Sequence, residues 1–228
     1  IPANSGLGSS SSFTVGLIHA LGKLKNKKFS KNEVAEMAYR IEAEITKNSL
    51  GKQDHYIAAY GGIKHINYMK NKVLVSSLKL KKKNINIFLN SLFLIWTGKN
   101  RVAANVLKEQ KKNFSKNQNN LLLLNNLTKK FKREVVKSKL DIKKLANLIS
   151  ETWVLKKKFS KYISNRNIDN IFKKIENRGI YGGKLLGAGN GGFILALSPM
   201  KKKKKLMKYL KNYKCLDIKL ENNGSVIL

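Results

Sequence analysis

The residue pattern predicts an α+β protein. Amphipathic stretches of helical period recur along most of the chain, short runs rich in branched and aromatic residues alternate with them, and glycine clusters punctuate both. With 228 residues, 25.8 kDa and 42% hydrophobic residues, the chain can bury a core as one large domain or two small ones.

Helical character begins inside the opening stretch "IPANSGLGSSSSFTVGLIHAL". Ser9 to Ser12 stand where a helix starts, and Phe13, Val15, Leu17, Ile18 and Leu21 supply a face for packing on a sheet, with an end near Gly22. "SKNEVAEMAYRIEAEI" predicts a second helix, opened by a Ser30–Glu33 capping box and carrying the stripe Val34, Met37, Ala38, Ile41 and Ile45. A glycine-bounded loop, "LGKQDHYIAAYGG", follows with a lone Asp54 in its middle. "IKHINYM" and "KVLVSSLKL" read as a hairpin over "MKNK", and "NINIFLNSLFLIWTG" as one or two more strands ended by Gly98. Residues 101–158 are helical in pattern, with "KNFSKNQNN" a polar break that Ser115 is placed to cap. "IDNIFKKIENRG" is a short helix stopped by Gly179. "FILAL" is a buried strand, and the tail gives a helix, a strand, an Asn-Asn-Gly turn and a final strand.

Two glycine clusters invite a chemical reading. Gly6 and Gly8 can take positive φ and bare their backbone N–H groups just where the serines open a helix, an arrangement that suits a phosphate. The competing reading is a flexible Gly/Ser linker, although a linker seldom runs unbroken into a helix. No Gly-Lys-Ser/Thr follows, so this is not a Walker A loop. The second cluster, "GAGNGG" at 187–192, allows close backbone approach and by itself also fits a tight connection between strands.

The formal charge of +34 comes from 47 Lys+Arg against 13 Asp+Glu. The excess is nearly all Lys, spread along the chain, with Arg only at positions 40, 101, 133, 166 and 178, and aromatic residues are not interleaved with it. Sequence-specific nucleic-acid binding is therefore not expected, though nonspecific polyanion affinity at low salt is. The lysine runs 81–83 and 201–205 read as solvated element ends. A single cysteine, Cys215, permits no internal disulfide and suits a buried strand position in a cytoplasmic protein. The longest apolar run, "INIFLNSLFLIWT", is too short to span a bilayer, so no membrane association is expected.

The order of these segments resembles the GHMP small-molecule kinases. "PANSGLGSSSS" is similar to that family's ATP-phosphate motif and "GAGNGGF" to its C-terminal glycine motif. "GKQDHYIAAYGG", "WTGKNRVAANVLKEQ" and "YGGKLLGAGNGGF" look like the branch that phosphorylates D-glycero-D-manno-heptose 7-phosphate. The resemblance covers nearly the whole chain. It implies a two-domain fold: a partial N-terminal domain resembling ribosomal protein S5 over residues 1–80, and a ferredoxin-like C-terminal domain over 85–228. It also implies an ATP- and Mg²⁺-dependent kinase acting on a small-molecule sugar phosphate at the anomeric hydroxyl. The family's first motif is missing, so the chain is expected to be N-terminally truncated, inactive alone or completed by an N-terminal fragment or a homo-oligomer. The alternative is a noncatalytic remnant or polyanion-binding protein.

Carried over residue by residue, the resemblance places Gly6, Leu7, Gly8, Ser9, Ser10 and Ser11 around the ATP phosphates. Ser10 and Glu42, the latter twelve residues before Asp54, are the expected Mg²⁺ ligands. Glu44 competes, but at about 100° per residue it lies roughly 200° round the helix from Glu42, so only one can face the site. Asp54 is the expected acceptor or orienter of the sugar hydroxyl proton, with Tyr56 and Tyr60 walling the pocket. Lys52 or Lys184 would offset phosphate charge. Gly187, Ala188, Gly189, Asn190, Gly191 and Gly192 would support the substrate side or pack under the phosphate loop. Trp153 and Arg101 match the branch and are assigned to packing or phosphate contact. Two departures stand out: His55 replaces the branch's usual Gln and could alter a sugar contact, and Asn190 replaces a glycine in a turn where Asn tolerates positive φ.

Overall fold

The computed structural model describes residues 5–46, 50–100 and 103–227, and Arg101 lies outside them. The chain divides into two compact units, one built from residues 8–78 with the tail from 220 onward, the other from 79–219 with the residues just before Gly8.

The first unit holds α1 (Ser9–Leu24), α2 (Lys31–Thr46), α3 (Gln53–Tyr60) and the hairpin β1 (Lys64–Tyr68) and β2 (Val73–Ser77). Its core is Val15 and Ile18 of α1, Val34, Ala35 and Ala38 of α2, and Tyr56 and Ala59 of α3. The capping box forms as expected: Ser30 N donates to Glu33 Oε2 at 2.7 Å, and Glu33 N to Ser30 Oγ at 3.3 Å. The hairpin is antiparallel with Lys64 opposite Ser77 and Tyr68 opposite Val73, and Met69 N donates to Lys72 O across the turn.

The apolar faces expected on the two long helices need correction. α1 buries Ser11, Val15, Ile18 and Gly22, whereas Phe13, Leu17 and Leu21 are exposed. The helix runs past Gly22, because that glycine is a packing position rather than a stop: a Cβ there would meet the Phe29 ring at 2.7 Å. On α2, Ile41 and Ile45 are exposed as well. The tail also departs from expectation. Among the described residues no strand follows the Asn-Asn-Gly turn; instead Glu221 O accepts from Gly62 N, and Ser225 N donates to Ala58 O, tying the tail to the end of α3.

The second unit runs α4 (Lys82–Ser91), β3 (Leu92–Trp96), α5 (Ala103–Lys112), α6 (Gln118–Val135), α7 (Ile142–Lys157), α8 (Arg166–Glu176), β4 (Gly182–Leu185), β5 (Phe193–Leu197), α9 (Lys203–Tyr209) and β6 (Cys215–Asp217). The strands form one antiparallel sheet in the order β4-β5-β3-β6. One sheet face, carrying Phe93, Ile95, Leu185, Ile194 and Ala196, packs with Trp153, Ile168, Ile171, Phe172 and Ile175 from α7 and α8. Trp153 stacks on Phe172 at 5.4 Å, which gives it a packing role.

"NINIFLN" is α4 and not a strand. Its alternation also places Ile85, Phe88 and Leu89 on one helical face, and Asn84 is buried with its amide donating to Lys137 O, a bond that favours the helix. The strand is "LFLIW" alone, and Gly98 follows at φ 81°. The polar break is a short 3₁₀ turn, Ser115–Asn117, and α6 has no side-chain cap, so Ser115 does not cap it. The side-chain caps that form here are Asp141 on α7 and Asn165 on α8. Lys203 is not a solvated run member: it is buried and pairs with Asp217 at 2.6 Å.

Candidate functional site

The start of α1, where the first unit begins, is shaped by glycine. Gly6 has φ 84°, and Gly8, the N-cap, sits in the left-handed region at φ 71°. No side chain caps the helix and its first turn holds no acid, so the N–H groups of Ser9 to Ser11 face outward from a positive helix end. Asp54, in the first turn of α3, lies directly against this glycine: a Cβ on Gly8 would sit 3.2 Å from Asp54 Cβ and 3.4 Å from its Oδ2. Positions 8 and 54, distant in sequence, thus share one small volume.

Glu42 of α2 stands behind the same helix start. Its Oε2 accepts from Ser11 Oγ at 3.0 Å and is 2.6 Å from His55 Nε2. Ser10, the expected partner, is exposed, and its carbonyl accepts from Thr14 Oγ1. Ser11 falls in line with the buried stripe Val15, Ile18 and Gly22, which turns its hydroxyl toward α2. That spacing was the available signal for Ser11. Glu44 is exposed.

Lys52 is engaged elsewhere. Its ammonium lies 2.8 Å from each oxygen of Glu36 and 4.9 Å from the centre of the Tyr39 ring. Burial acts to raise the Glu36 pKa, but hydrogen bonds from Lys52 and Tyr56 outweigh it and hold the carboxyl below its ordinary value. Tyr56 is a core residue whose hydroxyl donates to Glu36 at 2.5 Å, so it does not wall a pocket. Tyr68, at the end of β1, is the tyrosine that senses Asp54: burial, and then the Asp54 charge, push its phenol up to about 12. No spacing rule pointed to Tyr68, because the hairpin brings it there.

In the second unit, residues 186–192 connect β4 to β5. Gly187, Gly189, Gly191 and Gly192 all have positive φ, and Asn190 takes φ 65° while its side-chain carbonyl accepts from Asn165 Nδ2. Lys156 Nζ donates to Gly187 O, and Asn190 N to Ile163 O. Ala188 packs against the core. A Cβ on Gly192 would fall 2.2 Å from Ser5 O, so this glycine permits the residues just before Gly6 to lie against the turn. Lys184, on β4, has its pKa lowered by burial. Cys215 is half-buried on β6, and burial pushes its thiol up to about 11.

The donor set bears on a cation. Among the described residues no group of three or more His, Cys, Asp or Glu is arranged to hold a metal. A site of one carboxylate and one hydroxyl fits Mg²⁺ only where phosphate oxygens and waters complete the shell, as is usual for that ion.

The model for the GHMP kinase N-terminal domain matches residues 1–62, and the model for the GHMP kinase C-terminal domain matches residues 127–214. The chain belongs to the GHMP kinases. D-glycero-alpha-D-manno-heptose 7-phosphate kinase of Campylobacter jejuni is 32% identical over 217 residues, covering 92% of this chain and 62% of that protein. Mevalonate kinase of Methanocaldococcus jannaschii is also 32% identical, covering 92% of this chain and 63% of that protein. The crystal structure of a D-glycero-D-manno-heptose 1-phosphate kinase from Bacteroides thetaiotaomicron superposes with a TM-score of 0.73 at 25% identity, over 98% of this chain and 63% of that one. This GHMP kinase chain therefore spans somewhat under two thirds of the length of these relatives. Its α+β architecture is that of the family, and no helix among the described residues is long and apolar enough to cross a membrane.

Proposed function

We propose that this chain belongs to an ATP-dependent sugar-phosphate kinase that moves the γ-phosphoryl group to the anomeric hydroxyl of a heptose phosphate. The observation that carries the reading is the placement of the Asp54 carboxylate against Gly8 at an uncapped helix start. Phosphoryl transfer asks a protein mainly to position reactants and offset charge. The N–H groups of Gly6 to Ser11 would bind the β- and γ-phosphates, and Asp54 would orient the acceptor hydroxyl and take its proton, with the Tyr68 phenol beside it as a donor. Glu42 and a serine of the first turn would hold Mg²⁺, which supplies neutralisation of phosphate charge when bound. Since Ser11 already meets Glu42, Ser11 is the nearer candidate and Ser10 the one the family motif suggests. Lys52 is already paired with Glu36, whereas among the described ion pairs the buried Lys184 amine has no acid paired with it. The heptose assignment rests on the relatives' names and on the "GKQDHYIAAYGG" segment; the Methanocaldococcus jannaschii mevalonate kinase is similar at equal identity.

The test is made on the longest natural form of the protein. Asp54→Asn should lower kcat by orders of magnitude and leave ATP affinity nearly intact, with transfer to heptose 7-phosphate compared against mevalonate. Equal turnover in variant and parent removes Asp54 from the chemistry. Salt-sensitive RNA binding without nucleotide selectivity would favour the remnant reading instead.

A further inference from the structure

His55 follows Asp54 on α3, and its surroundings assign it a task. The ring is 1% exposed, held edge-on by Tyr39 at 5.8 Å and 85°, and carried by α3 between Asp54 and the core residue Tyr56. Nε2 points at Glu42 Oε2 at 2.6 Å, while Nδ1 is buried with no hydrogen-bond partner. An ionised carboxylate only accepts, so Nε2 carries the hydrogen and Nδ1 the bare lone pair, the tautomer that leaves no N–H unmet. The Ser11 hydroxyl donates to the same oxygen of Glu42.

Both donors therefore converge on Oε2. A carboxylate pinned at one oxygen by two donors from two helices has a fixed plane and direction, and its other oxygen, Oε1, is the remaining strong acceptor. Hydrogen bonds of this kind to metal-binding carboxylates orient the ligand and commonly matter as much as tenfold to a hundredfold in affinity. We propose that His55 is a positioning residue that fixes the Glu42 carboxylate for a divalent cation bound with the nucleotide phosphates, and that it couples that carboxylate through one peptide unit to Asp54. The proposal rests on the kinase reading above, and it assigns His55 to the cation side of the site rather than to the sugar.

The experiment is calorimetric titration of ATP, with and without Mg²⁺, into the parent chain and into His55→Met and His55→Gln. The parent should gain affinity when Mg²⁺ is added. His55→Met, similar in bulk but without a donor, should lose about tenfold to a hundredfold of that gain while metal-free ATP binds within about twofold of the parent. His55→Gln, whose amide can donate, should restore most of the gain. If His55→Met melts below the titration temperature, His55→Asn, too short to reach Glu42, carries the same expectation. A full Mg²⁺ gain in the donor-lacking variant, or no rescue by Gln, overturns the role of His55 alone. A parent that binds no ATP overturns the kinase reading of this chain together with it.

Discussion

Gly8→Ala tests the packing on which the site depends, and its expected size follows from the backbone. At φ 71° a residue with a Cβ pays the left-handed penalty, about 1–2 kcal/mol. The added methyl would also press Asp54 at 3.2 Å, tighter than ordinary contact, so the carboxylate must shift by a few tenths of an ångström. In a unit of this size that loss should lower the melting temperature by roughly 5–15 °C, read by circular dichroism. The same push should lower kcat of an active form by up to about a hundredfold, since small misplacements of reacting groups are costly. Gly16→Ala is the matched control: Gly16 is inside α1, a Cβ there meets nothing within 4 Å, and the change should stabilise by about 0.5–1 kcal/mol. Equal melting temperatures for Gly8→Ala and the parent would refute the left-handed cap and the contact with Asp54.

Three further outcomes follow from the ionisable groups. Lys184→Met removes an amine that burial disfavours in its charged form, so melting should rise by roughly 2–6 °C; weakened melting would show that the amine has a stabilising partner. The Tyr68 phenol, raised to about 12, contributes stability that is present below pH 10 and lost as pH rises through 12; Asp54→Asn should lower its midpoint, followed by phenolate absorbance. Glu36 is held below its ordinary value, so its contribution is present above pH 4.5 and lost as pH falls further; Glu36→Gln should flatten the acid limb of the unfolding curve, and an unchanged limb would contradict the Lys52–Glu36 pair.

The sequence reading succeeded where local chemistry decides structure. The Ser30–Glu33 box, the hairpin over "MKNK" and the helix stopped near Gly179 all depend on contacts within a few residues. It failed where periodicity was ambiguous or tertiary. "NINIFLN" alternates like a strand and also repeats like a helix, and tertiary contacts such as the buried Asn84 amide on Lys137 O separate the two. On α1 the apolar residues Phe13, Leu17 and Leu21 dominate the pattern over Ser11 and Gly22, yet Ser11 is what meets Glu42 of α2 and Gly22 is what leaves room for the Phe29 ring.

The same asymmetry explains how the site is built. A chain with 47 basic and 13 acidic residues has acids to spare nowhere, so their grouping carries more information than that of lysines. Three of the acids, Glu36, Glu42 and Asp54, fall on α2 and α3, and each meets a different fate. Glu36 is paired with Lys52 and accepts from a core tyrosine, contacts that brace α2 against α3. Among the described residues Glu42 receives Ser11 and His55 on one oxygen, which orients its carboxylate. Asp54 is set against a glycine at a positive helix end, where a carboxylate and a phosphate would compete for the same N–H groups unless a cation stood between them. In the function proposed above, an oriented Glu42 would hold that cation from one helix away. That role predicts that Glu42→Gln weakens Mg²⁺-dependent ATP binding far more than metal-free binding, and a variant losing both equally would place Glu42 in the fold and not in the site.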